Sequence, residues 1–175
     1  AFTTLSASGN STVGGTLGVT GATTLNGGLT LNSSSVSLGT NSTSSGSNST
    51  ALGYNSTASG NNSIAVGAST ANNSGSVAIG NSASSTGEDS VALGGQASAA
   101  AQNAYAIGKS AAAHHANSIA IGSSAASTGA NQIVLGTSNE TTIIKGDLTS
   151  NGTSTLSTVD INAGAIDGTA IGANS

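Results

Sequence analysis

Ser63-Ile64-Ala65-Val66-Gly67, Ser76-Val77-Ala78-Ile79-Gly80, Ser90-Val91-Ala92-Leu93-Gly94 and Ser118-Ile119-Ala120-Ile121-Gly122 are four copies of one pattern. Looser copies flank them: Ser35-Val36-Ser37-Leu38-Gly39, Ser49-Thr50-Ala51-Leu52-Gly53, Ala104-Tyr105-Ala106-Ile107-Gly108 and Gln132-Ile133-Val134-Leu135-Gly136. The closing glycines fall at 39, 53, 67, 80, 94, 108, 122 and 136, a 14-residue period broken once by a 13-residue step. A fixed period of this kind is the signature of an array whose units bury surface only against their neighbours.

Within each unit two aliphatic residues stand two apart with Ala between them. In an extended chain the pair shares one face and the Ala takes the other. The Gly permits a bend, and a second run such as Ser56-Thr57-Ala58-Ser59-Gly60 can extend again before an Asn-rich turn. Two short strands and two turns in each repeat make one coil of an all-β parallel solenoid. At roughly 4.8 Å per coil the array is about 35 Å long.

The aliphatic positions Val36, Leu38, Leu52, Ile64, Val66, Val77, Ile79, Val91, Leu93, Ile107, Ile119, Ile121, Ile133 and Leu135 are expected to stack inside the coils as their core. The alternating face, with Ala65, Ala78, Ala92, Ala106 and Ala120, is then outside. Its small side chains suggest close approach to other chains, a candidate assembly interface.

Composition agrees with a thin, ordered β structure. Of 175 residues only 31 are Val, Ile, Leu or Phe, too few for a wide globular core, yet the chain has no Pro and a formal charge of only −4. The same arithmetic excludes functions. Lys109 and Lys145 are the only cations besides the histidines, so nucleic acid is not a partner. There is no Cys and hence no disulfide frame or thiolate site, and no apolar run approaches the roughly 20 residues of a spanning helix. Without an initiating Met, the sequence reads as a piece of a longer chain.

Catalysis needs ionisable groups that converge, and the stock is poor. No Ser, His and carboxylate are patterned as a nucleophilic triad, and Gly14-Gly15-Thr16-Leu17-Gly18 lacks the Lys and helix of a phosphate loop. His114 and His115 are the one candidate metal pair, but adjacent residues of an extended turn point apart, so a solvent-facing turn is the expectation. Glu88-Asp89, Asp160 and Asp167 lack the alternation of a calcium loop and read as solubilising charge. No cofactor is called for. Tyr54 and Tyr105 are the aromatics to test as ligand contacts, Tyr105 as a core position and Tyr54 as an exposed one.

The pattern of Ser, aliphatic, Ala, aliphatic, Gly, two variable residues and Ser-x-Ala-x-Gly over residues 35–136 resembles the head repeat of trimeric autotransporter adhesins of the YadA type. The resemblance implies a left-handed β-roll assembled as a homotrimer. It has departures: one coil between Gly67 and Gly80 is short, with the missing residue expected outside the aliphatic strand, and Ala100 and His115 stand where other coils place the second Gly.

The flanks keep a different rhythm. Gly9, Gly15, Gly21 and Gly27 are six apart, as are Val13, Val19, Leu25 and Leu31, and residues 141–175 repeat this weakly. Phe2-Thr3-Thr4-Leu5-Ser6-Ala7-Ser8-Gly9 and Ala165-Ile166-Asp167-Gly168-Thr169-Ala170-Ile171-Gly172 resemble a module of phage tail-fibre proteins. The expected organisation is a hexad β shaft over 1–34, the β-roll over 35–140, and a connector over 141–175. The leading expectation is a non-enzymatic trimeric fibre, a phage tail fibre or similar surface fibre located on a virion or cell surface, that attaches to a host receptor or glycan. The alternative is the passenger head of a bacterial trimeric autotransporter adhesin binding host matrix or cells. A polysaccharide-cleaving tailspike ranks third, since clustered carboxylates are missing.

Overall fold

The computed structural model describes residues 14–15, 18–22 and 34–153. The hexad positions that fall elsewhere, and both flank motifs at 2–9 and 165–172, lie outside the described residues. The chain divides into two units, Ala1–Asn139 and Glu140–Ser175. In the second, residues 140–153 form no strand and leave Ile143, Ile144 and Leu148 exposed.

The first unit is a two-sheet parallel β-solenoid with no helix among the described residues. One sheet takes a strand from each repeat: β1 (Val36–Leu38), β3 (Thr50–Leu52), β5 (Ile64–Val66), β7 (Val77–Ile79), β9 (Val91–Leu93), β11 (Tyr105–Ile107), β13 (Ile119–Ile121) and β14 (Ile133–Leu135). The second runs are the other sheet: β2 (Thr43–Ser44), β4 (Thr57–Ala58), β6 (Thr70–Ala71), β8 (Ser84–Ser85), β10 (Ser98–Ala99) and β12 (Ala112–Ala113). Register follows the repeat, so like residues stack on like: Ala78 on Ala92, Ala92 on Ala106, and Ala106 on Ala120.

The interior is the reverse of the sequence expectation. Ala65, Ala78, Ala92, Ala106 and Ala120 are fully buried between the sheets, not on an outer face. From the second sheet Ala58, Ala71, Ala99 and Ala113 meet them, equally buried. Of the fourteen aliphatic positions expected as core, none is buried. Leu38, Leu52, Ile64, Ile79, Leu93, Ile121, Ile133 and Leu135 are exposed, and Val36, Val66, Val77, Val91, Ile107 and Ile119 half-buried. Tyr105, also expected in the core, is exposed beside them.

The physical reason is the size of the coil. Strands of two and three residues joined by tight turns cannot separate far enough to admit Ile or Leu. Sheets about 10 Å apart need large side chains to fill the gap, whereas this one is closed by methyl and hydroxymethyl groups.

Buried serines complete that interior, and all but Ser63, whose Oγ is buried without a partner, satisfy themselves locally. The Oγ of Ser49, Ser76, Ser90 and Ser118 donates to the carbonyl three residues back, on Gly46, Asn73, Gly87 and His115, at 2.6–2.7 Å. Ser69 Oγ lies within hydrogen-bond reach of two carbonyls, Val66 at 3.1 Å and Ala78 at 3.0 Å. At these five positions a small hydroxyl thus stays buried without the cost of an unmade bond.

Turns are held by left-handed residues, mostly Asn, such as Asn55 (φ 54), Asn62 (φ 56), Asn103 (φ 53) and Asn117 (φ 55). Asn tolerates this region better than most residues. Stacked turns then pair their amides: Asn103 Nδ2 donates to Asn117 Oδ1, and Asn117 Nδ2 to Asn131 Oδ1, both at 3.0 Å.

The short coil resolves at one turn. Val66 pairs with Leu52 and Thr70 with Thr57, so the missing residue lies in Gly67-Ala68-Ser69, outside the aliphatic strand. The Ser69 amide donates to the Gly67 carbonyl at 2.8 Å, a three-residue γ-turn, where the first coil closes a four-residue turn from Ser42 to Gly39. The register also places Ala101, rather than Ala100, in the second-glycine column with His115, because Ala99 pairs with Ser85 and Ala113 with Ala99. Near that column the second sheet thins: beyond β12 only the bridge Ala112–Ala126 continues it.

The closing glycines have a definite requirement. Gly94 has φ +131, and a Cβ there would stand 2.7 Å from the Gly108 carbonyl carbon and oxygen in the next coil. Gly94→Ala is expected to cost about 2 kcal/mol, from a disfavoured φ and displaced backbone, and to lower the melting temperature measurably. Gly146→Ala, with nothing within 4 Å of its Cβ, should leave melting unchanged. Equal melting of both variants would refute the stacking of this column.

Candidate functional site

No cavity opens among the described residues, and no three His, Asp or Glu side chains among them converge on a point. The candidate sites among the described residues are therefore sought on the surfaces of the coils. Three are distinct: the outer face of the first sheet, the outer face of the second, and the turns.

The first sheet presents two apolar columns. One is Val36, Thr50, Ile64, Val77, Val91, Tyr105, Ile119 and Ile133. The other is Leu38, Leu52, Val66, Ile79, Leu93, Ile107, Ile121 and Leu135. The alternation that turns Ala inward turns these residues out, and parallel in-register pairing repeats them coil after coil. A continuous apolar band over eight strands is more than single scattered surface residues, and such bands mark interaction sites.

The second sheet shows the opposite chemistry. Thr43, Thr57, Thr70, Ser84 and Ser98 occupy successive outward positions, giving an uncharged hydroxyl face. At its end the two histidines part company. His114 Nε2 lies 2.9 Å from Ser98 Oγ of the preceding coil, and His115 Nδ1 lies 3.1 Å from Ser127 Oγ of the following one. His114 is exposed and His115 half-buried. Their rings engage separate hydroxyls rather than a common point.

The turns carry the charge. Glu88 and Asp89 are both exposed; Glu88 Oε2 accepts from Gln102 Nε2 at 3.2 Å, and Asp89 fills a left-handed position, φ 52. Asp160 and Asp167 lie outside the described residues. Tyr54, in the turn after β3, is 61% exposed.

The family model of the YadA head domain repeat, written as two copies, matches residues 32–56, 44–70, 71–97 and 99–125, together more than half of the chain. The chain belongs to the YadA head-repeat family. Among solved structures it is similar to the collagen-binding domain of the Yersinia adhesin YadA, at 26% identity over 75% of this chain and 94% of that one, with a TM-score of 0.38. No curated protein matches significantly. The YadA-type repeats coincide with the coils, so the ladder of small interior residues and the two outer apolar columns are both features of this chain's head repeats.

Sequence reasoning missed the apolar columns as a surface, although a signal was available. Inward positions admit only Ser or Ala among the buried residues, whereas the aliphatic columns admit Thr50 and Tyr105. A column that tolerates Tyr is open to solvent or to a partner. The inward column holds only Ser and Ala from Ser37 to Ala120 and admits Val134 only at the last strand, where no further coil packs on it, so it is closed along its length.

Proposed function

We propose that this chain is a non-enzymatic head segment of a trimeric adhesin exposed on a cell surface, a reading supported by the match of residues 32–97 and 99–125 to the YadA head repeat. The observation that carries the reading is the apolar band on the first sheet, left open by a single chain that buries only Ala and Ser inside. Three copies bring their bands together around an axis and leave the hydroxyl sheets and turns outward. Assembly rests on the aliphatic columns, not on the alanines expected at first.

This arrangement suits attachment to a host cell or matrix. The coils resist bending, and three copies present each lateral surface three times, so weak contacts add through avidity. The match falls on the coils, which favours an adhesin head over the tail-fibre shaft that the flanks suggested.

Light scattering of the purified chain is expected to give about three times 16.2 kDa, with a melting temperature that rises with protein concentration. A folded monomer whose melting is independent of concentration would overturn the trimer.

A further inference from the structure

We propose that the rim around Tyr54 is a binding platform for a neutral glycan, one per chain. The proposal deepens the adhesin reading and rests on it.

Three observations meet at this turn. Tyr54 is the only aromatic of the described residues outside the apolar band, and it remains 61% exposed. An aromatic ring held in water has no structural need met there, since it contributes little to the fold. The second observation is the shortened turn. The register that places Leu52 on Val66 and Thr57 on Thr70 sets Gly67-Ala68-Ser69 beside the Tyr54 turn. Asn55, which follows Tyr54, has no counterpart there, because the γ-turn has lost its left-handed residue. The 13-residue coil therefore leaves a step in the turn ladder next to the exposed ring of Tyr54.

The third observation is charge. From Ser34 to Gly87 the chain holds no Asp, Glu, Lys, Arg or His. The polar groups bordering the step are amides and hydroxyls: Asn41 and Asn55, joined by an Nδ2 to Oδ1 bond of 3.2 Å, on one side, and Asn81 and Ser82 on the other. Ser82 resumes the left-handed column with φ 57, and its amide donates to the Ala68 carbonyl at 2.8 Å. An aromatic face flanked by amides and hydroxyls, without any formal charge, complements a pyranose ring. The C–H face of the sugar stacks on the ring and its hydroxyls exchange hydrogen bonds with the amides. An anionic sugar would find no cation to pair with here, and Lys109, the nearest along the chain, lies in the turn after β11.

A shallow platform binds one sugar weakly, and function requires several copies acting together. The test therefore uses the assembled head on a surface displaying neutral oligosaccharides that end in galactose, N-acetylglucosamine or mannose, beside the same surface with sialylated ends. The expected result is concentration-dependent retention on neutral surfaces only. Tyr54→Ala should weaken apparent affinity by about tenfold or more, and Tyr54→Phe by no more than about threefold, because stacking survives loss of the hydroxyl. Insertion of one Asn after Ala68, restoring the 14-residue period, should also abolish retention, since it fills the step. Each variant is checked for parental mass by light scattering.

The glycan proposal is overturned if the assembled parent binds no neutral surface, binds the sialylated one better, or binds equally well with Ala at 54. If the parent and Tyr54→Ala both remain trimeric and still adhere to matrix-coated surfaces, the adhesin reading stands and only the platform falls. If the parent is a monomer, it is the adhesin reading that fails.

Discussion

Replacing Ala92 and Ala106 together with Gln is expected to unfold the central coils. Both methyl groups are fully buried between the sheets, and the two residues sit side by side in register on β9 and β11. Facing them is a second layer of buried Ala and Ser, including Ala97, Ala99, Ala111 and Ala113. A Gln side chain has nowhere to go. Overpacking costs about 1–3 kcal/mol at a site that cannot expand, and an amide buried without partners adds a similar amount, so the pair together should cost roughly 5 kcal/mol or more. That is comparable with the whole stability of many domains.

Because each coil rests on its neighbours, damage at the middle also cuts the array into two shorter pieces. Circular dichroism should show loss of β signal well below the parent's melting temperature, whatever the protein concentration. Ser84→Gln, at an outward half-exposed position of β8, should melt within about a degree of the parent, since a surface change away from such features is usually within ±0.5 kcal/mol. If the double Ala variant melted like Ser84→Gln, the interior would have to be filled by other residues than these.

How much of this was legible beforehand depends on which physical quantity the sequence expresses. Periodicity expresses topology directly: glycines at 39, 53, 80 and 94 mark where the chain bends, and the structure bends there with φ between +121 and +136. The second runs were also readable, Thr57–Ala58 among them, because Ser-x-Ala-x-Gly alternates like a strand.

Alternation alone, however, fixes only that Ile64 and Val66 oppose Ala65, not which side is in. The usual preference puts the larger apolar residue inside, and that preference assumes a gap wide enough to receive it. Gap width is set by turn length and by the companion sheet, so it emerges only when both sheets are built. Here the Asn and Gly turns are so tight that Ala wins the interior and Ile is left outside. His114 shows the same limit at a candidate site. Its neighbour in sequence is His115, but the hydroxyls each ring engages, Ser98 and Ser127, belong to different coils.

Inverting the faces changes what a charge on the aliphatic column does. Leu93→Asp with Ile121→Asp places carboxylates on outward positions of β9 and β13, which a single chain leaves 38% and 39% exposed. The coil itself should survive, since backbone pairing through Ala92 and Ala120 is untouched and no carboxylate enters the interior. Assembly should not survive. Each of these side chains keeps a little over a third of its surface exposed in the single chain, so covering the remainder on association contributes roughly 0.6–1.2 kcal/mol, and three copies each lose two. Like charges gathered near one axis add repulsion.

At about 1.4 kcal/mol per tenfold, that loss alone weakens assembly by roughly two to five orders of magnitude, and burying unpaired carboxylates at the interface costs further. Sedimentation velocity should therefore show single chains of about 16.2 kDa, with a melting temperature below the parent's. Asn117→Asp serves as the control. It exchanges one exposed left-handed residue for another that tolerates that region, loses the donor to Asn131 Oδ1, and should cost no more than about 1 kcal/mol while remaining trimeric. The two double variants then separate by concentration. The alanine variant is unfolded at every concentration because its own interior is overfilled. The aspartate variant is a monomer whose remaining structure no longer gains stability as protein is added. A trimer that persisted with Asp at both 93 and 121 would move the interface off the first sheet, leaving the hydroxyl face and the turns as the surfaces through which copies could meet.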